Sequence, residues 1–168
     1  MKIPYFAIFI LFFVGCSNQS HYSTLQQADS LMNQHLDSAY NLINTINPND
    51  LSAKNNAYYS LLLTMAQYKS CEPIPNDSII NIAVDYFTDH FDQDKLTRAL
   101  MYKGGVLADL HYNKLALECY KEAEKVADTT DFMTMGLLNF RMGELYQKSY
   151  IKNEEHIKRY KLALKNFK

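Results

Sequence analysis

The chain has 168 residues, with 17 basic against 18 acidic side chains for a formal net charge of −1. That balance provides no cationic field for a phosphate backbone and argues against nucleic acid as a partner. A hydrophobic share of 48% excludes a disordered chain, and the length suits one domain rather than two large ones. With only 5 Gly and 4 Pro, and long segments of Met, Leu, Ala, Lys and Tyr, the composition favours helices over many short strands. Three cysteines, Cys16, Cys71 and Cys119, are too few and too scattered for a disulfide scaffold or a zinc site.

Residues 1–20 place Lys2 before an apolar run from Ile3 to Val14, and polar residues begin at Ser17. The run is short of the roughly 20 residues that span a bilayer as a helix and fits the centre of an export signal. It ends in Phe13-Val14-Gly15-Cys16, which is similar to a bacterial lipobox: an apolar pair, a small residue and the obligatory Cys. The resemblance implies a signal peptide over 1–15, cleavage before Cys16, and acylation of that residue as the membrane anchor. An ordinary secretory signal with an incidental cysteine is the other reading. Residues 16–23 read as the lipidated Cys and a flexible tether, and residues 24–168 as the mature domain.

From Thr24 the pattern turns helical. Leu25, Ala28, Leu31 and Met32 share one face, and a second helix from Leu36 aligns Ala39, Tyr40, Ile43 and Ile46 until Pro48 ends it. Leu51–Lys69 carries apolar pairs four residues apart at Ala57/Tyr58, Leu61/Leu62 and Met65/Ala66. Pro73 and Pro75 keep the next loop out of helix. Asp77-Ser78 is expected to cap a helix bearing Ile79/Ile80, Ala83/Val84, Phe87 and Phe91. Asp94 is the expected cap of the following helix, and Asn113 the cap of its partner, after a tight turn at His111–Asn113. The cluster Asp128–Asp131 breaks the chain again, before two helices that carry Met135/Gly136, Met142/Gly143, Tyr146 and then Ile157, Tyr160, Ala163/Leu164 and Phe167.

Within this series Leu100, Gly104, Leu107, Ala116, Tyr120 and Ala123 sit at offsets 0, 4, 7, 16, 20 and 23. The stretch resembles the tetratricopeptide repeat (TPR), which asks for large, small, large or aromatic, Ala, aromatic and Ala at those offsets. Gly104 and Ala116 would let two helices approach closely, with Tyr120 and Leu107 filling the groove that remains. Gly104 and Gly143 lie 39 residues apart and Ala123 and Ala163 lie 40 apart, a longer period than the ~34 of the standard motif. The fold class expected is all-α: a right-handed solenoid of about four antiparallel helical hairpins after an N-terminal signal segment, with a generic helical bundle as the alternative.

No catalytic pattern emerges. His21, His35, His90, His111 and His156 lack partners at metal-ligand or triad-like spacing, and neither a phosphate loop nor a nucleophile elbow occurs. The expectation is a protein that is not an enzyme and has no cofactor or metal. The resemblance implies that the first helix of each hairpin lines a concave groove, here through Arg98, Met101 and Asp109, then Phe140, Glu144 and Gln147. Those positions would grip a protein or peptide partner, while Cys16 would hold the membrane through its lipid. A sensory or ligand-binding module for peptides or glycans is the second functional expectation. Gly105 has no role legible in the pattern.

Overall fold

Apolar residues at helical spacing form buried stripes along most of the described helices. The computed structural model describes residues 13–148 and 153–168, with side chains placed from Ser20 to Lys148 and from Glu154 onward. Among them are eight α-helices: α1 (Phe13–Leu31), α2 (Leu36–Asn44), α3 (Ala53–Lys69), α4 (Ser78–Asp89), α5 (Gln93–Asp109), α6 (Asn113–Val126), α7 (Phe132–Lys148) and α8 (Asn153–Asn166). A short 3-10 turn covers Pro48–Asp50. The described residues contain no strand, and the class is all-α.

Each odd-numbered helix packs against the even-numbered helix that follows it, and each even-numbered helix packs against the next odd one. The odd helices also touch in series, α1 to α3, α3 to α5 and α5 to α7. The core follows this order. Leu25, Ala28 and Met32 meet Ala39 and Ile43, then Leu61, Leu62 and Ala66, then Ala99, Leu100, Ala116 and Tyr120, and finally Leu138, Met142 and Ala163.

Helix starts and stops have identifiable chemistry. The Ser52 hydroxyl accepts from Asn55 N–H at 3.4 Å, the Asp92 carboxylate from Lys95 N–H at 3.1 Å, and the Asp131 carboxylate from Thr134 N–H at 3.0 Å. Two helices end alike. Cys71 (φ 56°) and His111 (φ 65°) adopt the left-handed conformation just past α3 and α5. The next N–H in each case donates back across the last turn, Glu72 to Gln67 at 3.0 Å and Tyr112 to Leu107 at 2.8 Å. This is the Schellman arrangement, which satisfies carbonyls the helix would otherwise leave open.

Several boundaries differ from the sequence expectation. The first helix starts at Phe13 rather than Thr24, so the segment read as a tether continues α1. Residues 1–12 of the expected signal peptide lie outside the described residues, as does the Cys16 side chain. Asp92, not Asp94, caps α5, which frees Asp94 to pair with Arg98 one turn later. Asp77 makes no side-chain cap on α4; the Asn76 side chain accepts from Ser78 N–H at 2.9 Å instead. Asn113 is the first residue of α6, and Tyr112 stands before it without a side-chain cap. Phe91 lies beyond α4 and is 68% exposed. Cys119 is buried and Cys71 exposed, and both are free thiols.

The glycines mark close approaches. A Cβ on Gly104 would lie 2.5 Å from Tyr120 Cε1, and one on Gly143 would lie 2.8 Å from Tyr160 Cε1. Gly105 faces the other way, where a Cβ would meet the Tyr68 ring at 2.8 Å. The pair Gly104-Gly105 therefore lets α5 take one aromatic ring from α6 and another from α3.

Candidate functional site

The face shared by α3, α5 and α7 carries the largest described cavity, about 800 Å³. That size lies within the range of small-ligand pockets, roughly 300–1,000 Å³. Its walls are aromatic and apolar: Tyr68 from α3, Met101, Tyr102 and Val106 from α5, Tyr120 from α6, and Leu137 from α7. The loop after α3 closes one side through Cys71–Ile74, held in place by the left-handed turn at Cys71. Tyr68 and Tyr102 meet edge to face with centroids 5.7 Å apart, a favoured aromatic geometry.

Charge enters from α7. The Arg141 guanidinium lies over the Tyr68 ring at 5.6 Å and donates to Glu144 Oε2 at 3.2 Å. Asp109 reaches the same cavity from the end of α5 and is exposed. Lys69 and Glu72 also line it, but both are engaged elsewhere: Lys69 Nζ donates to Asn33 Oδ1 at 2.6 Å, and Glu72 Oε2 accepts from the Tyr40 hydroxyl at 2.7 Å. Burial pushes the phenols of Tyr68 and Tyr120 above the ordinary tyrosine range, and pushes Tyr102 up to about 12. All three are neutral hydrogen-bonding groups at physiological pH, not tyrosinate bases.

A second polar cluster lies beside this cavity and is fully engaged. Arg98 makes a bidentate contact with Asp29, Nη1 to Oδ2 at 2.9 Å and Nη2 to Oδ1, and reaches Asp94 at 3.2 Å. Tyr58 donates to the same Asp29 carboxylate at 2.5 Å. These contacts tie α1, α3 and α5 together; Asp29, Arg98 and Tyr58 are largely covered, and Asp94 is exposed. Burial pushes Asp29 toward a higher pKa, but the Arg98 guanidinium and the Tyr58 hydroxyl outweigh it and hold the carboxyl below its ordinary value.

The six groove positions expected from sequence thus fall into three groups. Met101 and Asp109 line the cavity, and Glu144 reaches it through Arg141. Arg98 is committed to Asp29. Phe140 and Gln147 turn toward α8, where the Phe140 ring lies 5.8 Å from that of Tyr160 and Gln147 Oε1 accepts the Tyr160 hydroxyl at 2.9 Å. The expectation missed Tyr68, Tyr102, Leu137 and Arg141. The unexplained Gly105 was the available signal, since Tyr68 packs directly on it.

Among the described residues, no group of three or more His, Cys, Asp or Glu side chains could hold a metal ion. No helix among them is long and apolar enough to cross a membrane. Comparison with protein-family models, curated proteins and solved structures gives no match.

Proposed function

We propose that this chain is a lipid-anchored protein of the bacterial cell envelope that captures a protein or peptide partner in a TPR-like groove. In this reading the eight helices form about four antiparallel hairpins stacked as a right-handed solenoid, and the odd-numbered helices line its concave side. The ordered contacts of α1, α3, α5 and α7 support that arrangement, as does the recurrence of a glycine–aromatic pair at Gly104/Tyr120 and Gly143/Tyr160. The observation that carries the functional part is the cavity on the α3–α5–α7 face, with aromatic and apolar walls beside two cations, Lys69 and Arg141, and two exposed carboxylates, Glu72 and Asp109. Such a combination of apolar anchor sites and a few charges grips a peptide without chemistry on it.

Anchoring would come from Cys16 in the lipobox-like sequence Phe13-Val14-Gly15-Cys16. Metabolic labelling with a palmitate analogue tests it: the wild-type chain should take up label and a Cys16→Ser variant should not. The groove is tested by photo-crosslinking in cells. A photoreactive side chain at Leu137 should capture a partner, and one at the exposed Ile82 on α4 should not. Equal capture from both positions would refute the placement. The enclosed floor of the cavity, where Tyr102 and Tyr120 are almost fully covered, favours a second reading as a ligand-binding module.

A further inference from the structure

The polar groups around the cavity differ in how far they are engaged. Lys69 and Glu72 each make one hydrogen bond to a neutral partner, Asn33 and Tyr40, which turns them aside. Arg141 gives one hydrogen bond to Glu144 and keeps its remaining guanidinium N–H groups. The hydroxyls of Tyr68, Tyr102 and Tyr120 have no protein partner among the described residues; the rings of Tyr102 and Tyr120 are covered, but their hydroxyl oxygens are not buried and open onto the cavity. A bound molecule can therefore hydrogen-bond to them. At the exposed edge Asp109 has neither an ion pair nor a hydrogen bond among the described residues.

Arg141, which keeps hydrogen-bonding capacity beside its ion pair to Glu144, therefore shares with three phenols and the unpaired Asp109 a pocket whose apolar surface includes Met101, Val106, Leu110 and Leu137. We propose that this cavity binds a small zwitterion with an apolar body, a free amino acid or short peptide carrying a large apolar side chain. Its carboxylate meets Arg141 and the tyrosyl hydroxyls, its ammonium meets Asp109, and its side chain lies against Met101 and Leu137. The assignment rests on reading the α3–α5–α7 face as a binding groove and narrows that reading to a ligand recognised by its two charged ends. A simple anion fits less well, because Asp109 and Glu144 would oppose it. A simple cation fits less well, because Arg141 already occupies the face of Tyr68.

The test is calorimetric titration of the full chain with L-phenylalanine and leucyl-phenylalanine, beside N-acetylphenylalanine and phenylalaninamide, which each lack one charge. Both zwitterions should saturate, and each blocked derivative should bind at least about tenfold more weakly, a difference of about 1.4 kcal/mol. Arg141→Gln should erase the preference over the amide and keep the preference over the acetyl derivative; Asp109→Asn should do the reverse. The double variant Tyr102→Phe, Tyr120→Phe should weaken the zwitterions and the acetyl derivative, which keep the carboxylate, with circular dichroism and melting temperature unchanged. Absence of saturation by either zwitterion, equal binding of the blocked derivatives, or a uniform effect of both charge variants on all ligands would overturn the proposal. If crosslinking from Leu137 persists in that case, the zwitterion assignment falls and the groove reading stands. Loss of both removes the groove reading as well.

Discussion

Gly104→Ala is the sharpest test of how the helices meet. In an open helix this change would stabilise by about 1 kcal/mol, because alanine restricts the unfolded chain and favours helix. Here the new methyl would lie 2.5 Å from Tyr120 Cε1 and 2.7 Å from Cδ1, and Tyr120 is only 2% exposed. Overpacking of this kind costs about 1–3 kcal/mol. The net expectation is a change between neutral and a loss of about 2 kcal/mol once the propensity gain is subtracted. Gly143→Ala is the internal control, since its methyl would meet Tyr160, a less buried ring that can move aside. It should be close to neutral. Urea denaturation followed by circular dichroism gives both values, and Gly104→Ala combined with Tyr120→Leu should be less damaged than the two single losses predict. A Gly104→Ala variant stabilised by the full propensity gain of about 1 kcal/mol would refute the claim that this glycine exists for the ring.

The remaining predictions concern the clamp and the turns. Arg98→Met leaves the Asp29 carboxylate largely covered without its cation. We expect a loss of about 2–3 kcal/mol in the same denaturation assay, below the full cost of breaking a buried pair because about a fifth of each side chain is exposed; a change within 0.5 kcal/mol, about the range of a surface substitution, would dismiss the clamp. Asp29 has a depressed folded-state pKa, so its contribution is present above the ordinary value of 3.8 and is lost as pH falls through the lower folded value. An acid titration of stability should therefore be shallower below pH 3.8 in Asp29→Asn than in the wild-type chain. His111→Gly should stabilise by about 0.5–1 kcal/mol, because glycine adopts the left-handed turn without the steric penalty of a side chain. A lower melting temperature for that variant would show that the His111 ring has a stabilising contact.

The parts of the fold legible in the sequence were those set by local rules. Apolar pairs at Ala57/Tyr58 and Leu61/Leu62, proline in the loop after Lys69, and the Asp128–Asp131 cluster each act within a few residues, and the helices follow them. Tyr120 could be placed in the core because its partner Gly104 lies in the preceding helix of the same hairpin. The caps were harder, since Asp92 and Asp94 offer identical chemistry two residues apart and only the entry angle of the chain selects one. The cavity was least legible. Tyr68 and Arg141 lie 73 residues apart in the chain and meet only after α3, α5 and α7 are side by side. Arg98 misled for the same reason: its partner Asp29 is 69 residues away, in a helix whose polar positions look like ordinary surface.

The repeat spacing nevertheless explains why one arginine is spent on structure and the other faces a cavity. Tyr58 and Arg98 are 40 residues apart, as are Met101 and Arg141, so each pair occupies one position of the repeating pattern on successive odd helices. Tyr58 and Arg98 converge because α1 supplies Asp29 opposite both of them, and that carboxylate satisfies the hydroxyl and the guanidinium together. Three residues further along each helix, Met101 and Arg141 open onto the cavity, with Asp109 at its edge. The two carboxylates differ in place: Asp29 lies two residues before the end of α1 and is closed by a clamp within the protein, while Asp109 is the last residue of α5 and stands at an open pocket. Moving the closed charge should change stability, and moving the open one should change what binds.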